Sequence, residues 1–60
     1  MTLDYLLTLG NGKTEKWNGA DFNEWVKEQG ERVGGTFQAR LDQFRRYTGM
    51  NVKDWEMVDL

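Results

Sequence analysis

Leu3-Asp4-Tyr5-Leu6-Leu7-Thr8-Leu9-Gly10-Asn11-Gly12-Lys13-Thr14-Glu15-Lys16-Trp17 is the stretch whose reading decides the fold. Leu3, Tyr5, Leu7 and Leu9 recur at every second position, with Asp4, Leu6 and Thr8 between them, which is the period of a half-buried strand. Gly10-Asn11-Gly12 then supplies a turn, because Asn-Gly suits a type I′ turn with φ > 0 at both central positions. Lys13 to Trp17 predicts the second strand of a hairpin. A two-residue turn pairs Leu9 with Thr14 and Leu6 with Trp17. A three-residue loop with a bulge pairs Leu9 with Lys13 and Tyr5 with Trp17. The sequence leaves both registers open, and a slip of one residue moves a strand's apolar set to the other face of the sheet.

The same stretch invites a second reading. Gly12-Lys13-Thr14 after a strand resembles the end of a phosphate-binding loop, G-x-x-x-x-G-K-[ST]. Leu7 stands where the first glycine would have to be, and Glu15-Lys16-Trp17 does not open a helix. The hairpin reading prevails.

Downstream of the hairpin the period changes. Asn18 is a good helix cap, Asp21 falls where the helix dipole favours an acid, and Trp17 and Phe22 stand at the two ends of a hydrophobic staple. Phe22, Trp25, Val26 and Gln29 line one face, and Gly30 marks the end. Glu31 to Gly35 is a connector with a glycine pair as its hinge. Thr36 caps a second helix with Phe37, Leu41, Phe44 and Thr48 on its inner face. Gly49 closes that helix, Arg45 and Arg46 occupy its last turn, and Met50 folds back toward Phe44. Val52 to Leu60 reads two ways. Trp55 and Met57 alternate with acids as in a strand, while Asn51 with Val52, Trp55 and Val58 fits a short helix. The strand reading is preferred because a two-stranded hairpin is marginal alone. The expectation is a single α+β domain over residues 1–60, ordered ββααβ, with both helices on one face of the sheet.

The composition narrows function. The 60 residues contain no Cys, His or Pro. Thiol chemistry, the commonest metal ligands and the side chain best suited to proton transfer near neutral pH are therefore missing. So are the staples that usually hold very small domains together. Three Trp, three Phe and two Tyr must supply much of the core. Catalysis needs a positioned and tuned group, and no acid lies in a visibly apolar setting, so the chain reads as a non-enzyme without cofactor, metal or small-molecule substrate. No apolar run approaches a membrane span and the amino terminus lacks signal-peptide character, so a cytoplasmic protein is expected.

Net charge is −2, which argues against a general nucleic-acid or membrane binder. The charge is uneven. Residues 1–31 carry three Lys and six acids, net −3; residues 32–50 carry four Arg against Asp42, net +3; residues 51–60 carry Lys53 against three acids, net −2. On a helical wheel with Phe22 at zero, Glu24, Glu28 and Asp21 fall near about 200°, 240° and 260°, beside Trp25 near about 300°. They form one acidic strip edged by an aromatic ring. Glu28 opposes the dipole at the helix end, and Glu24 and Glu28 repel at i, i+4. Local conflicts of this kind mark candidate functional surfaces. Asp21, Glu24, Trp25 and Glu28 are the expected contacts to a partner protein with a basic surface. The brevity and the lack of catalytic groups suit a stand-alone adaptor or inhibitor, by analogy with small acidic viral or mobile-element proteins that act on host proteins. Arg32, Arg40, Arg45 and Arg46 are the candidate nucleic-acid contacts, a weaker reading because the last three surround their helix instead of forming a stripe. Self-association through a sheet edge or the Trp residues is the other alternative.

Overall fold

The computed structural model describes residues 3–59. Strands β1 (Leu3–Leu9) and β2 (Thr14–Asn18) are followed by helices α1 (Gly19–Glu28) and α2 (Phe37–Thr48) and by strand β3 (Val52–Asp59). The sheet is antiparallel with β1 in the middle, in the order β2-β1-β3. The fold is the expected ββααβ, and the last segment is a strand.

The hairpin adopts the longer of its two loops. Leu9 N donates to Lys13 O at 2.7 Å, Gly12 N donates to Leu9 O at 2.9 Å, and Tyr5 lies opposite Trp17. Gly12 alone in this turn takes a positive φ, 88°, whereas a type I′ turn would impose the same conformation on Asn11. Asn11 instead accepts the Lys13 N–H on its Oδ1 at 3.0 Å, closing the turn from the side. With this register Tyr5, Leu7 and Trp17 share the helix-facing side, while Leu6, Thr8 and Lys16 face the other way.

Because Leu9 bonds to β2, the amides of Tyr5 and Leu7 also turn toward β2, and those of Asp4, Leu6 and Thr8 turn toward β3. Trp55, opposite Leu7, therefore points its own backbone groups away from the sheet.

Both helices start where their caps dictate. Asn18 Oδ1 accepts from Asp21 N at 3.0 Å, and Thr36 Oγ1 accepts from Ala39 N at 3.1 Å. α1 ends in a Schellman arrangement, with Gly30 N donating to Lys27 O at 2.9 Å, Glu31 N donating to Val26 O at 3.2 Å, and Gly30 at φ 74°. At the other end of α1, a Cβ on Gly19 would collide with the Leu3 carbonyl, so the absent side chain lets the helix start lie directly on the central strand.

The core is Tyr5, Leu7 and Leu9 from the sheet, Phe22 and Val26 from α1, Leu41 and Phe44 from α2, and Val52 at the start of β3. The Phe22 and Phe44 rings lie 4.4 Å apart, and Tyr5 meets both edge-on at 5.4 and 4.9 Å. Met50 packs against this cluster, as its position beyond Gly49 suggests.

The second helix departs from expectation at two positions. Phe37 is 45% exposed instead of facing inward, because the first turn of α2 overhangs β3, where the Phe37 ring stacks on Trp55 at 5.4 Å. Gln43 is buried although its wheel position lies about 120° from Phe37, off the inner face. The connector wraps it: Gly34 N donates to Gln43 Oε1 at 2.7 Å, and Gln43 Nε2 donates to Arg32 O at 2.8 Å. One amide side chain thus satisfies backbone groups of a segment that has no ladder of its own. Asp4 is also buried, and its Oδ1 has no hydrogen-bond partner among the described residues.

Candidate functional site

Helix α1 turns Phe22 and Val26 inward and leaves Asp21, Glu24 and Glu28 exposed on its outer side. Among the described residues, none of these three carboxylates is in an ion pair; the ion pairs there are Arg46 with Glu31 at 2.8 Å and with Asp42 at 4.0 Å. Lys27, which the sequence places near the strip, does not close on it. Trp25 is half-buried at the edge of the strip.

Trp25 belongs to a larger aromatic group than the sequence indicates. It stacks beside Phe22 at 6.5 Å and tilts against Tyr47 at 5.2 Å, while Tyr47 meets Trp17 edge-on at 5.4 Å. Three half-buried rings, from β2, α1 and α2, thus form a continuous band beside the acids. Trp17 Nε1 donates to Glu15 Oε1 at 3.2 Å, which brings another acid to the margin of the band. The Arg46 guanidinium lies 5.8 Å from the Trp25 ring centre.

Tyr47 and Trp17 are the members that sequence reasoning missed. On the wheel of the second helix Tyr47 falls about 80° from the inner face, three residues after Phe44, which places it as a flanking ring. Trp17 was readable only once the hairpin register was fixed, since the other register puts it on the far side of the sheet.

The electrostatics of the site are simple. Burial, and then the nearby Asp21 carboxylate, push the Tyr47 hydroxyl above its usual pKa of 10, so the ring stays neutral at physiological pH. Glu31 is held at about 2 by its hydrogen bonds from Arg46 and Gln43, while Arg46 is pushed further up by the same contact. The Arg46–Glu31 pair is two-pronged, at 2.9 and 2.8 Å, and ties the start of the connector to the last turn of α2 beside Trp25.

The arginines do not gather. Arg40 Nε donates to Gly34 O at 3.1 Å and its guanidinium covers Trp55 at 4.7 Å. Arg45 Nε donates to Val52 O at 2.8 Å. Arg46 is engaged by Glu31, and Arg32 lies in the connector with its carbonyl held by Gln43. Three of the four are committed to internal partners at separate places on the surface.

Among the described residues no three His, Cys, Asp or Glu side chains converge as metal ligands, and no helix is long and apolar enough to cross a membrane. A shallow concavity of about 390 Å³ lies away from the strip, lined by Leu9, Gly10, Asn11, Met50 and Asn51 at the hairpin end. No protein-family model matches the chain, and neither a curated protein nor a solved structure matches it.

Proposed function

We propose that the chain is a non-catalytic protein-binding module whose α1 face, formed by Asp21, Glu24, Trp25 and Glu28, engages a basic surface of a partner protein. The observation that carries this reading is the set of three exposed, unpaired carboxylates lying against a half-buried band of Trp17, Tyr47 and Trp25. Aromatic rings provide the apolar contact, and the acids provide steering and selectivity for a positive partner. The helix carries these acids at a cost, since Glu24 and Glu28 repel and Glu28 opposes the dipole. An inhibitor or adaptor acting on a host protein is the finer reading, by analogy with small viral and mobile-element proteins.

Capture of partners from a nuclease-treated lysate, followed by titration of the retained protein, tests the reading. Glu24→Lys with Glu28→Lys should leave the circular-dichroism spectrum unchanged and weaken binding by about tenfold or more, with a smaller salt dependence. Unchanged affinity and unchanged salt dependence would reduce the strip to solvated surface.

A further inference from the structure

Strand β3 is an outer strand of the sheet, and the alternation of the ladder decides what its free edge presents. Trp55 faces Leu7 without exchanging bonds, so the N–H and C=O of Trp55, and of Met57 two residues on, point away from β1. In the free chain the outward Trp55 amide is held by its neighbour, donating to Asp54 Oδ1 at 2.8 Å.

The two faces of this edge differ sharply. Trp55 and Met57 lie on the helix side. Phe37 is 45% and Met57 53% exposed there, and Leu3, 45% exposed, follows one pair further along on β1. Phe37 stacks on Trp55 with the planes 18° apart, and Arg40 reaches Met57 Sδ at 3.9 Å from its place over Trp55. Exposed Phe and Met beside a Trp and an Arg are the residues enriched in binding patches. Asp54 and Glu56 lie on the opposite side, and Lys53 is the one cation of the strand.

We propose that the β3 edge accepts an extended segment of a partner protein as a fourth strand, in which apolar side chains alternate with Lys or Arg. Its backbone bonds to Trp55 and Met57. Its apolar side chains lie over Phe37, Trp55 and Met57, and its basic side chains meet Asp54 and Glu56. A basic side chain beside Asp54 also draws that carboxylate away from the Trp55 amide and opens the edge.

A second copy of the chain fits poorly. Two-fold pairing of β3 with itself centred on Trp55 sets Asp54 opposite Glu56 twice, and the register centred on Glu56 sets Glu56 opposite its own copy. Like charges directly opposite are destabilising. Centring on Met57 avoids this but overlaps only Trp55–Asp59. The edge is also separate from the α1 face, since α1 lies over β1 and β2 while β3 lies beneath α2. The inference therefore goes beyond the proposed function and stands or falls without it.

The probe is a capped peptide of alternating valine and lysine, compared with a valine–glutamate version and with a peptide of the same composition in which the lysines and valines are grouped. The alternating lysine peptide should bind and slow hydrogen exchange at the Trp55 and Met57 amides. Glu56→Lys, at an exposed position off the core, should keep the fold and weaken that binding about tenfold. Glu24→Lys with Glu28→Lys should leave it unchanged. Equal binding of the grouped or glutamate peptide, or no protection of those two amides, would overturn the proposal. So would sedimentation showing that the chain dimerises with the same amides protected in the absence of peptide.

Discussion

On the α1 flank the acids are free and the rings are half covered; on the β3 flank Phe37 and Met57 are exposed around a half-buried Trp55, and Arg40 and Asp54 are held by internal contacts. Asp21, Glu24 and Glu28 project from a helix whose backbone is satisfied within itself, so only side chains are available for recognition there. Trp55 and Met57 stand on a strand with an open backbone edge, so the main chain itself can be read. The two flanks use similar residues, because Arg46 covers Trp25 on one side much as Arg40 covers Trp55 on the other. What separates them is the element beneath. A helix presents charge at fixed angular spacing, whereas an edge strand presents alternation together with backbone groups that face outward. The chain thus holds two surfaces of different make-up over one shared core.

Removing that shared core should abolish the distinction. Phe44 is fully buried between Phe22, Tyr5 and Trp55 and so supports both flanks. Phe44→Ala should cost about 3–5 kcal/mol, comparable with the whole stability of a domain this small. The expected result is a chain largely unfolded at room temperature, with far-UV ellipticity lost and both surfaces inactive. A cooperative unfolding transition near the original urea midpoint would mean that the two flanks are held independently.

A second change acts at the junction between the flanks. Gln43 bonds the connector at Gly34 N and Arg32 O, and Arg40 bonds it at Gly34 O. Gln43→Ala leaves the half-buried Gly34 amide and the Arg32 carbonyl without this partner and should cost about 1 kcal/mol. Hydrogen exchange should quicken first at Gly34, while the Trp55 amide keeps its rate. Equal acceleration at both amides would show that the connector and the β3 flank open as one unit.

How far these features were legible in the sequence depends on whether they are local. The hairpin, both caps and the Gly30 and Gly49 helix ends follow from neighbouring residues, and all were readable. The strip of Asp21, Glu24, Trp25 and Glu28 was readable for the same reason, since helical spacing alone puts those residues together. The register was not, because it turned on which turn residue adopts a positive φ. Phe37, Gln43 and Tyr47 were placed by tertiary contact: an overhang past β3, a connector folded back on α2, and two rings arriving from other elements. No periodicity within one helix carries that information. The β3 edge lies between these cases. The alternation of Trp55 and Met57 with acids was visible, but the outward amides needed the hairpin register first.

The smallest expected effect gives the finest comparison of the flanks. Glu31 is exposed and held at about 2 by Arg46 and Gln43, against an ordinary value of 4.5. Its pKa is lower in the folded chain than in the unfolded one, so its contribution to stability is fully present above pH 4.5. That contribution declines as the pH falls from 4.5 toward about 2. Glu31→Gln should flatten the dependence of the urea midpoint on pH across this window, lowering the midpoint slightly near pH 7 and leaving it little changed near pH 2. The consequence should also be one-sided. Protonating Glu31 frees Arg46, whose guanidinium lies 5.8 Å from the Trp25 ring, whereas Arg40 over Trp55 is held by the Gly34 carbonyl, which does not titrate. In an acid titration followed by NMR, the Trp25 indole N–H signal should move with Glu31, and the Trp55 signal should not follow that step. If both signals move together and Glu31→Gln abolishes both, the two guanidinium–indole contacts are linked through the 31–35 connector.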